Sequence, residues 1–269
     1  MNDNNVKWLY LAVLIAVLAA LVWIFRDVLM PETDEPAGTM QPAAPDTPAA
    51  KREPLHPITP QTDDRGERLL IPLPALDDSD GYFLLALTDI FGREVEVLIV
   101  KDGLIDRFVA TIDNLPRRHV AEKVRPVGRL PDEFVVTEND GDGPVFIDPA
   151  NYRRYDGLVA RIAGADIDAI VDTYRRFYPL FQESYERLGY PNAYFNDRVV
   201  EVIDHLLETP QPEAPLSLTQ PNVLYEYADR DLEALSAGQK LLLRMGPDNA
   251  AAVREFLRAL RERITQQQP

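Results

Sequence analysis

The chain has 269 residues, 46% of them hydrophobic, no cysteine and a formal net charge of −16. That apolar fraction excludes disorder of the whole chain, and the acidic balance lacks the basic footprint of a nucleic-acid binder and gives no attraction to anionic lipid. The missing cysteine excludes disulfides, thiolate zinc sites and cysteine nucleophiles.

Residues 1–7 are a short tail. Trp8 to Phe25 is then a run without a single charge. As a helix it spans about 27 Å, close to the ~30 Å hydrocarbon core of a bilayer. Trp8 and Tyr10 mark one interface, Trp23 and Phe25 the other, and Arg26 can snorkel from the far end. A cleaved signal peptide needs a shorter apolar region closed by a small-x-small site; here Ala19-Ala20 is followed by five more apolar residues. Residues 8–30 are therefore expected to be a retained transmembrane anchor. Lys7 and Arg26 nearly balance, and the short tail favours an N-in orientation with the domain outside the cytoplasm.

Residues 31–68 are a different polymer, with eight prolines between Pro31 and Pro60 and no hydrophobic period. They are expected to be a disordered, extended tether of up to ~3.1 Å per residue. The alternative is a proline motif that serves as a ligand.

A mainly helical, bundle-like domain is predicted over 69–265, with a tail at 266–269. Ser79 and Gly92 bound the first helix, and Leu104 to Leu115 forms the next. Glu94 to Val100 fits a strand or a helix. Phe134–Thr137 and Val145–Ile147 predict a β-hairpin around Asn139-Asp-Gly-Asp-Gly. Glu138, Asp140, Asp142 and Gly143 also match the opening of a calcium loop, but Pro149 stands where its bidentate Glu belongs. Asp148-Pro149 starts a helix that runs to Gly164. Asp166 starts another, whose apolar stripe continues from Ile167 to Leu188; Pro179 should kink or split it. Tyr194 to Glu208 is helical, with Phe195, Val199, Val202, Ile203 and Leu206 inward and Asp197, Glu201, Asp204 and His205 outward. Pro210 to Pro221 reads as loop and Val223 to Tyr227 as a short strand. Ser236 and Gln239 form a capping box, Gly246-Pro247 divides two helices, and Val253, Phe256, Leu257, Leu260 and Ile264 stripe the last one.

The stretch YRRFYPLFQESYERLGYPNAYFNDRVVEVIDHLLETP (Tyr174 to Pro210), with LEALSAGQKLLLRMGPDNAAAV (Leu232 to Val253) and FVATIDNLPRR (Phe108 to Arg118), resembles the bacterial domain-of-unknown-function family 3014. The resemblance covers about Leu69 to Ile264. It implies a proteobacterial envelope protein with an N-terminal anchor, and it implies no reaction and no catalytic residue.

Candidate site residues fall in three groups. Asp197, Glu201 and His205 lie one turn apart on one helix face, a spacing that suits a metal or a carboxylate-oriented histidine; solvation is the plainer reading. The aromatic stretch from Tyr174 to Phe195 fits a helix core, or a ligand groove rimmed by Gln182, Tyr194 and Asn196. Arg117, Arg118, Lys123, Arg125 and Arg129 form a local basic run, either an anion-binding patch or a loop paired with the domain's own acids. Ser236 to Lys240 lacks the spacing of a phosphate loop, and no serine sits in a G-x-S-x-G elbow. No cofactor or metal is expected. The resulting expectation is an inner-membrane protein with a periplasmic domain that binds another envelope protein. The alternatives are an enzyme or binding domain for cell-wall glycan or peptide, and an oligomerising module.

Overall fold

The computed structural model describes residues 53–58, 72–93, 96, 99–126, 134–138, 144–164, 166–213, 215–222 and 224–266. The expected anchor, most of the tether, Asp140, Asp142 and Gly143 of the calcium-loop reading, and Arg129 lie outside them. Among the described residues no helix is long and apolar enough to cross a membrane.

The helices are α1 (Asp80–Phe91), α2 (Leu104–Asn114), α3 (Ala150–Arg153), α4 (Asp156–Ala163), α5 (Ile167–Arg187), α6 (Phe195–Leu207), α7 (Arg230–Ala234), α8 (Ala237–Arg244) and α9 (Pro247–Thr265). The strands are β1 (Val136–Glu138), β2 (Val145–Ile147), β3 (Ser217–Thr219) and β4 (Glu226–Tyr227). Ile99 makes an isolated bridge, and the Val100 N–H donates to the Pro126 carbonyl at 2.8 Å; Glu94, Val95, Val97 and Leu98 lie outside the described residues.

Helix α5 carries the core. Asp166 caps it by accepting from the amides of Asp168 and Ala169. Its three-and-four spacing then buries Ile170, Val171, Tyr174, Phe177, Tyr178, Phe181 and Tyr185. Phe181 meets Phe83 of α1, Phe108 of α2 and Phe195 of α6 at centroid distances of 5.4, 5.2 and 6.0 Å. Truncating Phe181 to Ala in such a cluster costs about 3–5 kcal/mol. The expected split at Pro179 does not occur. Pro179 is on the exposed face, and the helix runs through it with one backbone donor fewer.

Helix α9 closes the bundle against α4, α5 and α6, and all five residues of its expected stripe are buried. Gly246 lies before it at φ 80°, and a Cβ there stands 2.6 Å from the Tyr152 ring, so only glycine fits.

Three expectations need correction, and the expected hairpin is extended. The helix from Pro149 to Gly164 is two, α3 and α4. Asn249 Nδ2 donates to the Tyr152 carbonyl at 3.0 Å, and Tyr155 N–H closes a tighter turn on the same oxygen, so the ladder breaks there. The hairpin is half of a four-stranded antiparallel sheet of order β1-β2-β3-β4, with Val136 opposite Ile147 and Val145 opposite Leu218. Strand β3 falls in the stretch read as loop. Its inward Leu216 and Leu218 alternate with Ser217 and Thr219, but Pro215 and Pro221 hide that signal. Finally, residues 53–58, read as tether, lie on the domain.

Candidate functional site

The N-terminus of α6 is built by the side chain of Gln182. Its Oε1 accepts from the Phe195 N–H at 2.8 Å and its Nε2 donates to the Ala193 carbonyl at 2.8 Å. Gln182 thus caps α6, while the Tyr194 side chain makes no cap bond. The Tyr178 hydroxyl donates to the same Oε1 at 3.2 Å. Burial pushes the Tyr178 phenol up to about 12, which keeps that proton in place at physiological pH.

This frame presents Asn196 and Asp197. Asn196 is fully buried. Its Oδ1 accepts from Tyr174 at 3.2 Å, and its Nδ2 donates to the carbonyls of His56 at 2.8 Å and Ile264 at 3.2 Å. The Asp197 carboxylate accepts from two successive amides, Leu55 at 2.9 Å on Oδ2 and His56 at 2.8 Å on Oδ1.

The bound segment is Glu53-Pro-Leu-His-Pro-Ile58. The prolines fix φ, bias the residues before them to extended backbone and leave only Leu55 and His56 as donors between them. Both donors go to Asp197. Exposure alternates along the segment: Pro54, His56 and Ile58 turn to the domain, while the Leu55 side chain is 80% exposed. Ile58 packs on the main core. What holds the chain is therefore mostly main-chain recognition, on a carboxylate at a helix N-terminus where the dipole favours it.

The structure brings Gln182, Asn196 and Asp197 together around this segment, with half-buried Tyr194 beside them, as a backbone clamp rather than the rim of an aromatic groove. Six of the eight aromatic side chains of the stretch, Tyr174, Phe177, Tyr178, Phe181, Tyr185 and Phe195, are core.

The rest of the α6 face is a partly solvated seam: Glu201 is exposed, while Asp204 and His205 are half-buried. Glu201 pairs with Arg198 at 2.8 Å and makes no hydrogen bond to His205. Arg198 Nε reaches buried Asp113 at 2.9 Å, and Arg117 reaches the other oxygen of Asp113 at 2.9 Å. Burial works against the Arg198 guanidinium, but Glu201 and Asp113 outweigh it and raise its pKa. Asp204 takes a bidentate pair from Arg261 of α9. His205 Nε2 meets Ser236 Oγ at 2.8 Å, and that oxygen also accepts from the Gln239 N–H in the expected capping box. Burial lowers the His205 pKa, so the neutral imidazole faces the cap. Among the described residues no three acids or histidines converge on a metal-sized space.

The basic run does not form one patch. Arg117 and Arg118 are exposed and Arg117 is paired with Asp113; Arg125 is buried and its Nη2 donates to the Val120 carbonyl at 3.1 Å. Its sequence neighbours count charge, whereas its fate is set by a carbonyl five residues upstream. Lys240 is likewise buried, on Glu233 at 2.5 Å. Sequence reasoning missed Asp113 and the 53–58 segment. The signal for the first was an acid four residues before Arg117; for the second, two prolines three apart followed by an isoleucine.

No match was found among the curated proteins or among the solved structures. Residues 104–261 match the family described as "Protein of unknown function (DUF3014)". The match spans more than half of the chain and contains α2, α5, α6 and the Asn196-Asp197 clamp, and the chain belongs to the DUF3014 family.

Proposed function

We propose that this protein is a membrane-anchored cell-envelope interaction module whose domain holds extended protein segments at the N-terminus of α6. The anchor is the apolar run of residues 8–30, and the domain works in the periplasm, at the end of the proline-rich tether. The observation that carries the reading is the Asp197 carboxylate on two successive backbone amides, with Asn196 on the carbonyl between the prolines. Recognition of that kind reads main chain and tolerates different side chains, as in other domains that take extended peptides. The chain's own 53–58 segment is the resident occupant, and a partner segment of similar backbone chemistry competes for the same groups. Docking of residues 53–58 leaves residues 31–52 between anchor and domain, at most about 80 Å of extended chain. The carboxylates of Asp197, Glu201 and Asp204 are each bound by amides or guanidinium groups, which disfavours a paired acid–base role in wall hydrolysis.

The test is photo-crosslinking in living cells from the full-length chain, with the reactive residue at Tyr194 beside the clamp and, separately, at exposed Arg118. A discrete protein adduct from Tyr194, stronger when Pro54 to Ile58 is replaced by glycine and serine, is expected. Loss of any protein adduct at Tyr194, or an adduct that carries glycan, contradicts the reading.

A further inference from the structure

We infer that a second site, a cleft between the Thr209–Leu216 segment and the start of α9, binds a carboxylate on a small apolar body, such as the free C-terminus of a peptide. Its walls include Tyr152, Pro210, Leu216, Leu242, Ala250 and Arg254. Apart from Arg254, Gln211 and the Tyr152 hydroxyl, the lining offers chiefly carbon.

Arg254 is the reason to assign a ligand. It is only 3% exposed, and its Nη2 donates to the carbonyls of Thr209 and Pro210 at 3.2 and 3.4 Å. Its Nε is buried without a hydrogen-bond partner. No carboxylate pairs with it among the described residues, and the charge that acts on it is another cation, Arg258. A buried guanidinium without a counter-charge is costly, and burial accordingly lowers its pKa. Buried Lys240, by contrast, is held by Glu233.

The backbone adds to the same field. Helix α9 has 19 residues and begins at this cleft with Gly246 and Pro247, and no side chain caps it. Its positive end and Arg254, one turn beyond Ala250, act on the same space, and the acid of the first turn, Asp248, is exposed to solvent.

Size and polarity choose the anion. The space is about 50 Å³. At roughly 10–15 Å³ per water-sized group it takes about three to five such groups, a carboxylate with one or two carbons attached. Phosphate needs more donors than one guanidinium and a helix end supply, and it gains nothing from proline and leucine walls.

The experiment follows the Arg254 Nε–Hε resonance in the ¹⁵N-labelled full-length chain, assigned by its loss in Arg254→Lys. The probes are N-acetyl-alanyl-alanine, its C-terminal amide, propionate and inorganic phosphate. A saturable shift with the peptide acid, at least about tenfold weaker for the amide, is expected. Propionate as effective as the peptide upholds the carboxylate site and assigns it to free acids rather than chain ends. A shift with phosphate but not with carboxylates, or no saturable shift with any probe, overturns the inference. The wild-type resonance is the readout, so a misfolded variant cannot mask the answer.

Discussion

Asp113 on α2 and Arg198 on α6 meet at 2.9 Å across 85 residues of chain, and Arg198 Nη2 also donates to the Asp113 backbone carbonyl at 2.7 Å. Asp113 is 4% exposed, so the pair lies in the seam between two core helices rather than on the surface. Removing Asp113 leaves mostly buried Arg198 with only the solvent-facing Glu201 as its acid, and breaking a buried pair costs about 3–5 kcal/mol. Asp113→Ala should therefore lower the melting temperature by about 6–20 °C, at ~2–4 °C per kcal/mol for a domain of this size. Circular dichroism of the full-length chain checks it; a drop below about 2 °C contradicts the assignment.

Gly238 gives an opposite test of packing against propensity. Alanine gains about 1 kcal/mol over glycine inside a helix. A Cβ at Gly238, however, stands 2.5 Å from Leu206 Cδ2 and 3.3 Å from the Leu115 carbonyl, and the Gly238 N–H donates to that carbonyl at 3.0 Å. Leu206 and Leu115 are fully buried and have no room to retreat. Overpacking of this kind costs about 1–3 kcal/mol, so Gly238→Ala should destabilise by about 1 kcal/mol net, read as a shift in the denaturant midpoint. A stabilised variant contradicts the close approach of α8 to α2 and α6.

The elements with a clean three-and-four period, α5, α6 and α9, were legible in the sequence, as were the Asp166 cap and the Ser236–Gln239 box. Their signals are local. What was not legible depends on partners distant in sequence. Asn196 looked like a groove rim and Asp197 like part of a solvated helix face, because their types are polar. That they clamp Leu55 and His56 requires a segment 140 residues away. Arg125 looked like part of a patch, and it is buried on a carbonyl. Strand β3 was lost because flanking prolines outweighed a four-residue alternation. Arg254 sits beside Val253 at the edge of an apolar stripe, and nothing local marks it as buried without an acid.

The contact between His205 and Ser236 sets a pH dependence. Burial lowers the His205 pKa below that of the unfolded chain, and the exposed His119 is lowered too, by burial and then by Lys240. A depressed pKa means the folded state binds fewer protons, so this stability is fully present above the unfolded value of about 6.5 and is lost as pH falls. The melting temperature should decline between pH 7.5 and 5.5, and His205→Gln should flatten that decline. Ser236→Ala should cost about 0.5–2 kcal/mol at pH 7.5 through loss of the cap. A pH profile unchanged in His205→Gln contradicts the role given to the imidazole.

The central claim is that the N-terminus of α6 holds an extended backbone through Asp197. Hydrogen–deuterium exchange of the Leu55 and His56 amides in the full-length chain tests it most directly. Both amides are predicted to be protected in the wild type, and to lose at least about tenfold of that protection in Asp197→Ala, while the core amides of α5 and α9 exchange as before. Leu55 and His56 amides that exchange at unprotected rates in the wild type would contradict the clamp and, with it, the reading of this domain as a holder of extended segments.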